Sequence, residues 1–249
     1  MIKFKSAIML AVIFSVVFVS FRQIEEVEAE QNTVIVPDDY GSIQMAIDNS
    51  LVGGTVYVRS GMYHENLVIN KSLSLMGENV DTTVIDGNPD EGYMIPIKIH
   101  ADNVSVSGFK LLYGYSGISV GDSKYCNISG NRIAGNEHGM MLVGCSHCVV
   151  SENYFELVGL SSAIQLSFSN SSLLTGNYIT NCTEGIQVWQ GSTNNTVTQN
   201  TITYCDDVAI RLQYADNNTV TRNDVSHSGI GTSVYVANNN TITQNNYFN

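Results

Sequence analysis

The chain has 249 residues and a formal net charge of −12, from 11 Lys and Arg against 23 Asp and Glu. A chain this acidic, without a cluster of basic residues, is not expected to bind nucleic acid. Its length is enough for a single domain behind a short leader segment.

Residues 1–29 have the composition of a secretory signal peptide. Lys3 and Lys5 give a positive start, residues 7–21 are apolar, and Val27-Glu-Ala29 resembles a cleavage site. The apolar stretch is short for a bilayer span of about 20 residues. Membrane attachment is therefore expected only through an uncleaved N-terminal segment. The sequence predicts that residues 30–249 form a secreted, periplasmic or cell-surface domain.

The segment 30–102 is predicted to hold an N-terminal cap and the first turns of this domain. Four apolar residues follow Ser42 at helical spacing: Ile43, Ala46, Ile47 and Leu51. Ser is a common helix N-cap, so this pattern predicts a short amphipathic helix. Such a helix would cover the open end of the repeats that follow. Strands are predicted over 55–59, 67–69, 72–76 and 83–85.

From residue 103 to residue 249 the chain repeats itself every 22 to 24 positions. The first aligned position is aliphatic: Val106, Ile128, Val150, Leu174, Val197, Val220 and Ile242. The third aligned position is mostly apolar: Leu111, Ile133, Phe155, Ile179, Ile202, Val225 and Tyr247. A further strand with alternating apolar residues follows, as in Gly185-Ile-Gln-Val188. This pattern predicts an all-β fold, a right-handed single-stranded parallel β-helix with the apolar positions stacked inside.

The second aligned position is Asn in six consecutive repeats: Asn131, Asn153, Asn177, Asn200, Asn223 and Asn245. Equivalent residues of successive coils stack at roughly 4.8 Å. We expect an inward amide ladder that bonds the backbone at a turn, where Asn also tolerates the left-handed conformation that such a turn often needs. Eight Asn-x-Ser/Thr sequences are interpreted as turn sequences first and as glycosylation sequences second: Asn70, Asn103, Asn127, Asn170, Asn181, Asn194, Asn217 and Asn239.

The repeat also aligns four of the five cysteines. Cys126 and Cys148 occupy one position of adjacent coils, and Cys182 and Cys205 occupy another. Stacked neighbours lie within disulfide reach. In an oxidising compartment we predict bridges 126–148 and 182–205, each stabilising the fold by up to ~3 kcal/mol. The alternative is a metal or redox motif formed by Cys145-Ser-His147-Cys148.

Several segments of the N-terminal part resemble a known family. They are Val36-Pro-Asp-Asp-Tyr40, Ile43-Gln-Met-Ala-Ile47, Gly54-Thr-Val-Tyr-Val58, Gly61-Met-Tyr-His-Glu-Asn66 and Lys71-Ser-Leu-Ser-Leu-Met-Gly77. This opening resembles the NosD-type periplasmic copper-binding β-helix domain, and pectin methylesterases open similarly. The later repeats are similar to those of NosD-like proteins, surface-layer-associated proteins and carbohydrate-active enzymes. The resemblance covers roughly residues 33–249 and implies the fold, which hosts many functions.

For a NosD-like protein the resemblance implies a role in copper supply or in maturation of a periplasmic enzyme. Copper binds Met, Cys and His side chains that are grouped in space. Under this alternative the metal ligands are expected to be Met141, Cys145 and His147.

One turn carries acidic residues and a His on successive repeats: Glu184, then Asp206 and Asp207, then His227. This order resembles the polygalacturonase-type glycoside hydrolases, although Glu184 stands where that family has Asp. Inverting hydrolysis needs two carboxylates about 6.5–9.5 Å apart. These four residues are therefore the catalytic candidates for an enzyme acting on acidic polysaccharide. A Ca²⁺ ion held between coils is the alternative use of this turn.

The outward positions of the last strand of each repeat carry amide, guanidinium and aromatic side chains: Gln165, Gln187, Trp189, Arg211, Gln213 and Tyr235. Alternation places Ile186 and Val188 inside and their neighbours outside. Such groups can hydrogen-bond hydroxyls and stack on sugar rings along the face of a solenoid. We therefore expect a non-catalytic module that binds a polysaccharide or a surface protein along this strip. The hydrolase and the copper-delivery protein are the alternatives.

Overall fold

The computed structural model describes residues 33–87 and 94–248. The strands pair in parallel and form a β-solenoid of about nine turns, which confirms the predicted architecture. The predicted signal peptide, residues 1–29, lies outside the described residues. Within the described residues no helix is both long enough and apolar enough to cross a bilayer.

The structure contains one α-helix, α1 (Ile43–Asn49), in the described part. In chain order the strands are β1 (Thr33–Val36), β2 (Thr55–Val58), β3 (Gly61–Tyr63), β4 (Leu67–Ile69), β5 (Ser74–Gly77), β6 (Thr83–Asp86), β7 (Ile97–Ile99), β8 (Ser105–Ser107), β9 (Lys110–Leu112), β10 (Ser116–Gly121), β11 (Asn127–Ser129), β12 (Arg132–Ala134), β13 (His138–Val143), β14 (Val149–Ser151), β15 (Tyr154–Ser167), β16 (Leu173–Thr175), β17 (Tyr178–Trp189), β18 (Thr196–Thr198), β19 (Thr201–Gln213), β20 (Thr219–Thr221), β21 (Asp224–Ser226), β22 (Ile230–Tyr235), β23 (Thr241–Thr243) and β24 (Asn246–Phe248).

These strands form two sheets that run along the solenoid. Sheet A contains ten strands in the order β1-β2-β5-β8-β11-β14-β16-β18-β20-β23. The second sheet contains fourteen strands and has two faces. We call β3-β6-β9-β12-β15-β17-β19-β21-β24 face B, and β4-β7-β10-β13-β15-β17-β19-β22 face C. The long strands β15, β17 and β19 belong to both faces, so the chain bends within them.

Helix α1 forms where the sequence predicts it. The Ser42 hydroxyl accepts the backbone N–H of Met45 at 3.2 Å, and the carboxylate of Glu65 accepts two further N–H groups of the first turn at 2.9 Å. The apolar side of the helix is buried against β1, β2 and β4. Leu51 is the exception among the predicted apolar residues, because it lies beyond the end of the helix and is 60% exposed.

The aliphatic positions of the repeat stack inside the solenoid as predicted. On sheet A, Val106, Ile128 and Val150 lie side by side in adjacent strands and are fully buried. The third position forms a second buried stack on face B. In the last described coil the same two positions, Ile242 and Tyr247, are 38% and 49% exposed.

The predicted Asn ladder is present at the turn between sheet A and face B. The first five ladder Asn residues each donate from Nδ2 to Oδ1 of the Asn on the next coil at 2.9–3.1 Å. The same Oδ1 accepts the backbone N–H of the preceding ladder Asn at 3.0–3.1 Å. Nδ2 also bonds the carbonyl oxygen of the aliphatic residue on the preceding coil. The ladder therefore pairs polar groups that the turn would otherwise bury without partners.

The left-handed conformation of this turn does not fall on the ladder Asn residues themselves. The left-handed φ belongs to the exposed residue just before each of them, with values between 56° and 65°: Gly130, Glu152, Gly176, Gln199, Arg222 and Gln244. The ladder amides are fixed by their bonds, so the left-handed conformation falls on the exposed residue before them, which is Gly in two coils.

The bend between faces B and C is irregular. The register between β15 and β17 shifts between Val158 and Ser162, and the register between β17 and β19 shifts after Cys182. These shifts absorb part of the variation in repeat length. At the inner side of the bend, a Cβ added to Gly139 or Gly185 would come within 2.3 Å of a backbone carbonyl oxygen of the next coil. The chain is therefore closely packed where the candidate functional residues begin.

Candidate functional site on face C

The predicted strip of polar and aromatic residues lies on face C, where strand register arranges it in two columns. The first column contains Gln165, Gln187 and Arg211. The second column contains Ser167, Trp189, Gln213 and Tyr235. The columns are two residues apart along each strand, so their side chains leave the same face of the sheet. We call these seven residues the polar strip.

The polar strip is open on one side and nearly covered on the other. Gln165 is 7% exposed, and its Nε2 donates to the Ser167 hydroxyl at 3.0 Å. Trp189 is partly exposed, and Gln187 and Gln213 beside it are partly exposed as well. Tyr235 is 54% exposed, with its ring edge-on to that of Tyr214. An external ligand can therefore reach the strip from Trp189 to Tyr235.

Arg211 connects the polar strip to the predicted acidic turn. Its Nη2 donates to Glu184 Oε1 at 2.8 Å and to Asp207 Oδ2 at 2.7 Å. The side chains of Arg211 and Glu184 are 20% and 18% exposed, so this pair is less screened by water than a surface ion pair. The guanidinium occupies the place between the two carboxylates. The arrangement therefore does not fit a Ca²⁺ ion bound by Glu184 and Asp207.

The structure brings together two of the four predicted catalytic residues. Glu184 and Asp207 meet through Arg211, and Asp206 is an exposed neighbour. His227 is exposed, and its ring stacks on that of Tyr204 with centroids 4.7 Å apart. Within the described residues His227 forms no ion pair with any of these carboxylates. The hydrolase interpretation requires a His beside the paired acids. The geometry does not pair His227 with them.

The three predicted metal ligands point in different directions. Cys145 is buried, with its Sγ 3.3 Å from the carbonyl oxygen of Val120. His147 is exposed, with its ring against that of Tyr125. Met141 lies on face C beside Gln165. In the described part of the chain, no group of three or more His, Cys, Asp or Glu residues is arranged to hold a metal ion. These residues do not fit a shared copper ion.

All five cysteines are buried thiols in the structure. Cys182 and Cys205 are paired in register, with their Sγ atoms 2.8 Å apart. Hydrogen bonding to Cys148 and burial raise the pKa of the Cys126 and Cys145 thiols, and the same two bonds lower the pKa of Cys148. Each predicted pair thus faces its partner across one coil, and bridge formation stays a prediction.

Sequence reasoning misses a second outward column, on face B. It contains Lys110, Arg132, Tyr154 and Tyr178, in register on adjacent strands. The two Tyr rings stack with centroids 5.2 Å apart, and the Arg132 guanidinium lies 5.1 Å from the Tyr154 ring. We call these residues the tyrosine column. Each residue directly precedes an inward apolar position, so aligning the outward positions as well would have revealed it.

The family model described as periplasmic copper-binding protein (NosD) matches residues 47–249, which is most of the chain. The chain belongs to the NosD family. A curated relative of this NosD-family chain is a cell surface glycoprotein of Methanothermus fervidus, 33% identical over 107 residues. That match covers 42% of the chain and 17% of the relative, so the chain spans less than a fifth of the relative's length.

Solved structures share the fold at low sequence identity. An alginate lyase from Paenibacillus matches with a TM-score of 0.64 and 11% identity, covering 87% of this chain and 97% of the lyase. The Dettilon tailspike protein matches with a TM-score of 0.65 and 17% identity, covering 82% of this chain and 46% of the tailspike. PfbA, a surface adhesin of Streptococcus pneumoniae, matches with a TM-score of 0.63 and 15% identity, covering 77% and 59% of the two chains. These similarities show the NosD-family chain to be a β-helix and no more.

Proposed function

We propose that this NosD-family protein is a non-catalytic, carbohydrate-binding β-helix of the periplasm or cell surface, and that the polar strip binds a neutral polysaccharide. The observation that supports this proposal is the register of face C. It aligns the indole of Trp189 with the amides of Gln187 and Gln213 and with the phenol of Tyr235. An indole offers a flat apolar surface to a sugar ring, while amides donate to and accept from hydroxyls.

The charges favour a neutral polysaccharide over an acidic one. The only Arg of the polar strip is already paired with Glu184 and Asp207. The chain carries a net charge of −12, which repels polyanions at long range. A uronate-binding face would need cations that are free to meet carboxylates.

The named relatives agree with a surface role. One relative is a cell surface glycoprotein, and the fold neighbours include a polysaccharide lyase and a surface adhesin. The family description places its members in the periplasm. We therefore propose that the chain acts outside the cytoplasm.

Affinity electrophoresis of the purified protein in gels containing neutral or acidic polysaccharides tests the proposal. We expect retardation by at least one neutral polysaccharide. Trp189→Ala should weaken it about tenfold or more, as expected for losing a stacked aromatic surface of about 1.5–3 kcal/mol. Tyr178→Ala removes a partly exposed aromatic side chain from the tyrosine column on face B and should leave retardation unchanged.

The other outcomes each contradict the proposal in a distinct way. Loss of binding in Tyr178→Ala but not in Trp189→Ala would move the site to the tyrosine column. New chain ends that disappear in Asp206→Asn would make the protein an enzyme. The absence of retardation by any polysaccharide, with the protein folded, would refute carbohydrate binding.

A further inference from the structure

Two kinds of Asn residue in the chain differ in their bonding. Ladder residues such as Asn177 and Asn200 are buried and bonded at both ends of the amide. The Asn residues that begin Asn-x-Ser/Thr sequences are all exposed: Asn70, Asn103, Asn127, Asn170, Asn181, Asn194, Asn217 and Asn239. Within the described residues none of these eight amide side chains forms a hydrogen bond. The fold therefore uses the first kind and leaves the second kind free.

Three of the free amides are stacked at one edge of the solenoid, where face C turns into sheet A. Thr196, Thr219 and Thr241 pair side by side on β18, β20 and β23. Each of them lies two residues after an exposed Asn, so Asn194, Asn217 and Asn239 are stacked as well. These three Asn residues share the left-handed φ, between 55° and 58°. Asn103, with a φ of 57°, occupies the same turn of an earlier coil.

We propose that Asn103, Asn194, Asn217 and Asn239 are attachment sites for N-linked glycans. The donor would be an oligosaccharide carried on a lipid phosphate, delivered by a transferase. Asn Nδ2 forms a bond to C1 of the first sugar, and the bond between C1 and the phosphate oxygen breaks. The lipid phosphate leaves with that electron pair, and the amide nitrogen loses one proton. The acceptor requires an Asn-x-Ser/Thr sequence on an accessible surface, which these four positions supply.

The turn itself does not explain these sequences. Other coils place Tyr125, His147 and Ser171 at the same position, with the same left-handed φ of 53–57°. The hydroxyls of Thr196, Thr219 and Thr241 form no hydrogen bond within the described residues, so the strand does not need a hydroxyl there either. On these three coils neither the Asn amide nor the Thr hydroxyl is bonded within the described residues, although both recur; at Asn103 the hydroxyl of Ser105 donates to that of Ser74 at 2.9 Å. The polar strip contains none of these four residues, so this proposal is independent of the proposed carbohydrate ligand.

Glycopeptide mass spectrometry on the full chain, secreted by the organism that encodes it, tests the proposal. Two variants each change one group of the Thr219 side chain. Thr219→Ser removes the methyl group and keeps the acceptor sequence at Asn217. Thr219→Val replaces the hydroxyl by a methyl group, which removes the acceptor sequence and keeps a β-branched residue in β20. We expect a sugar on Asn217 in the natural protein and in Thr219→Ser, and a bare Asn217 in Thr219→Val. The ladder residue Asn200, which begins no such sequence, should be bare in all three.

Two results would overturn the proposal. The first is a secreted natural protein in which Asn103, Asn194, Asn217 and Asn239 are all unmodified. The second is a sugar on Asn217 that persists in Thr219→Val. Should Thr219→Val fail to be secreted, Asn217→Gln is the second variant, because it changes only an exposed amide without bonds. Its total mass should fall by one glycan relative to the natural protein.

Discussion

Sheet A and the bend between faces B and C are built from the same repeat, yet they are stabilised differently. On sheet A, three-residue strands pair without a register shift, and the Asn ladder bonds each coil to the next. At the bend, the register shifts twice, and an Arg between two carboxylates stands there instead of a ladder. The regular side contributes stability through repetition. The irregular side contributes the variation from which a binding site can be made.

The largest effect is expected from breaking the ladder in its middle. Asn177 bonds the carbonyl oxygen of Val150 at 2.9 Å, Asn200 at 2.9 Å, and both the backbone and side-chain N–H groups of Asn153 at 3.1 Å. Asn177→Ala leaves several buried groups without partners, at about 1–3 kcal/mol each. We expect the free energy of unfolding to fall by about 3 kcal/mol or more in urea titrations.

A matched control lies seven residues away. Asn170 is exposed, and its side chain has no hydrogen bond in the described structure. Asn170→Ala should therefore change the free energy of unfolding by no more than about 0.5 kcal/mol. Equal losses in both variants would show that the ladder contributes no more than an ordinary surface Asn, and the contrast between the two regions would fail.

The next largest effect on stability is expected from the pair of cysteines at the bend. Cys182 and Cys205 face each other at the start of the register shift. If they bridge in an oxidising compartment, the bond closes a loop across one coil and stabilises by about 2–3 kcal/mol. We expect non-reducing peptide mapping of the secreted protein to show this bridge. The free energy of unfolding of Cys182→Ser should be lower by that amount, and Cys145→Ser should retain the bridge. Finding free thiols at both positions in secreted protein would refute the bridge.

A smaller effect is expected from the Arg211 cluster. Arg211→Met keeps much of the side chain's apolar stem but leaves Glu184, only 18% exposed, without its ion-pair partner. Removing a partner from a partly buried charge costs about 1–2 kcal/mol here, below the value for a fully buried pair. The double variant Arg211→Met/Glu184→Gln should recover part of the loss in thermal unfolding. No recovery would mean that Arg211 acts through packing and not through its charge.

The sequence predicts sheet A and the Asn ladder well because the same residue types recur at the same position of successive repeats. The ladder residues and the aliphatic rungs recur on every coil, so alignment alone identifies the inward positions. The polar strip is also predicted, because alternation follows directly from the period. The pairing of Arg211 with Glu184, on the preceding coil, is different. It depends on how many residues the bend contains in each coil, and one register shift changes which side chains meet.

Other misses have similar physical causes. Tyr154 and Tyr178 occupy an outward position whose residue type varies from coil to coil, so the inward pattern alone does not predict their stack. The bond from Gln165 to the Ser167 hydroxyl and the burial of Gln165 are details that periodicity does not encode. His147 and Cys145 are close in sequence but lie on opposite sides of the wall, because a turn separates them.

The smallest effect is a pH dependence at the bend. His138 begins β13 against the ring of Tyr115, and its Nδ1 is buried without a partner in the described residues. Burial lowers the pKa of His138, and Glu137 only partly opposes this. Its pKa in the folded state is therefore below the unfolded value of about 6.5. Protons then bind the unfolded chain more readily, so this contribution to stability is present above about pH 6.5 and is lost as the pH falls through that range.

The dependence can be isolated with one variant. Thermal unfolding of the natural protein and of His138→Gln should be measured at about pH 7.5 and pH 5.5, on either side of the ordinary His pKa. The natural protein should lose more stability than His138→Gln on acidification. If His138→Gln and the natural protein respond equally, the bend tolerates a charged imidazolium. It would then be more open to water than the closely packed bend of this structure, and the contrast with sheet A would be weaker than the register shifts suggest.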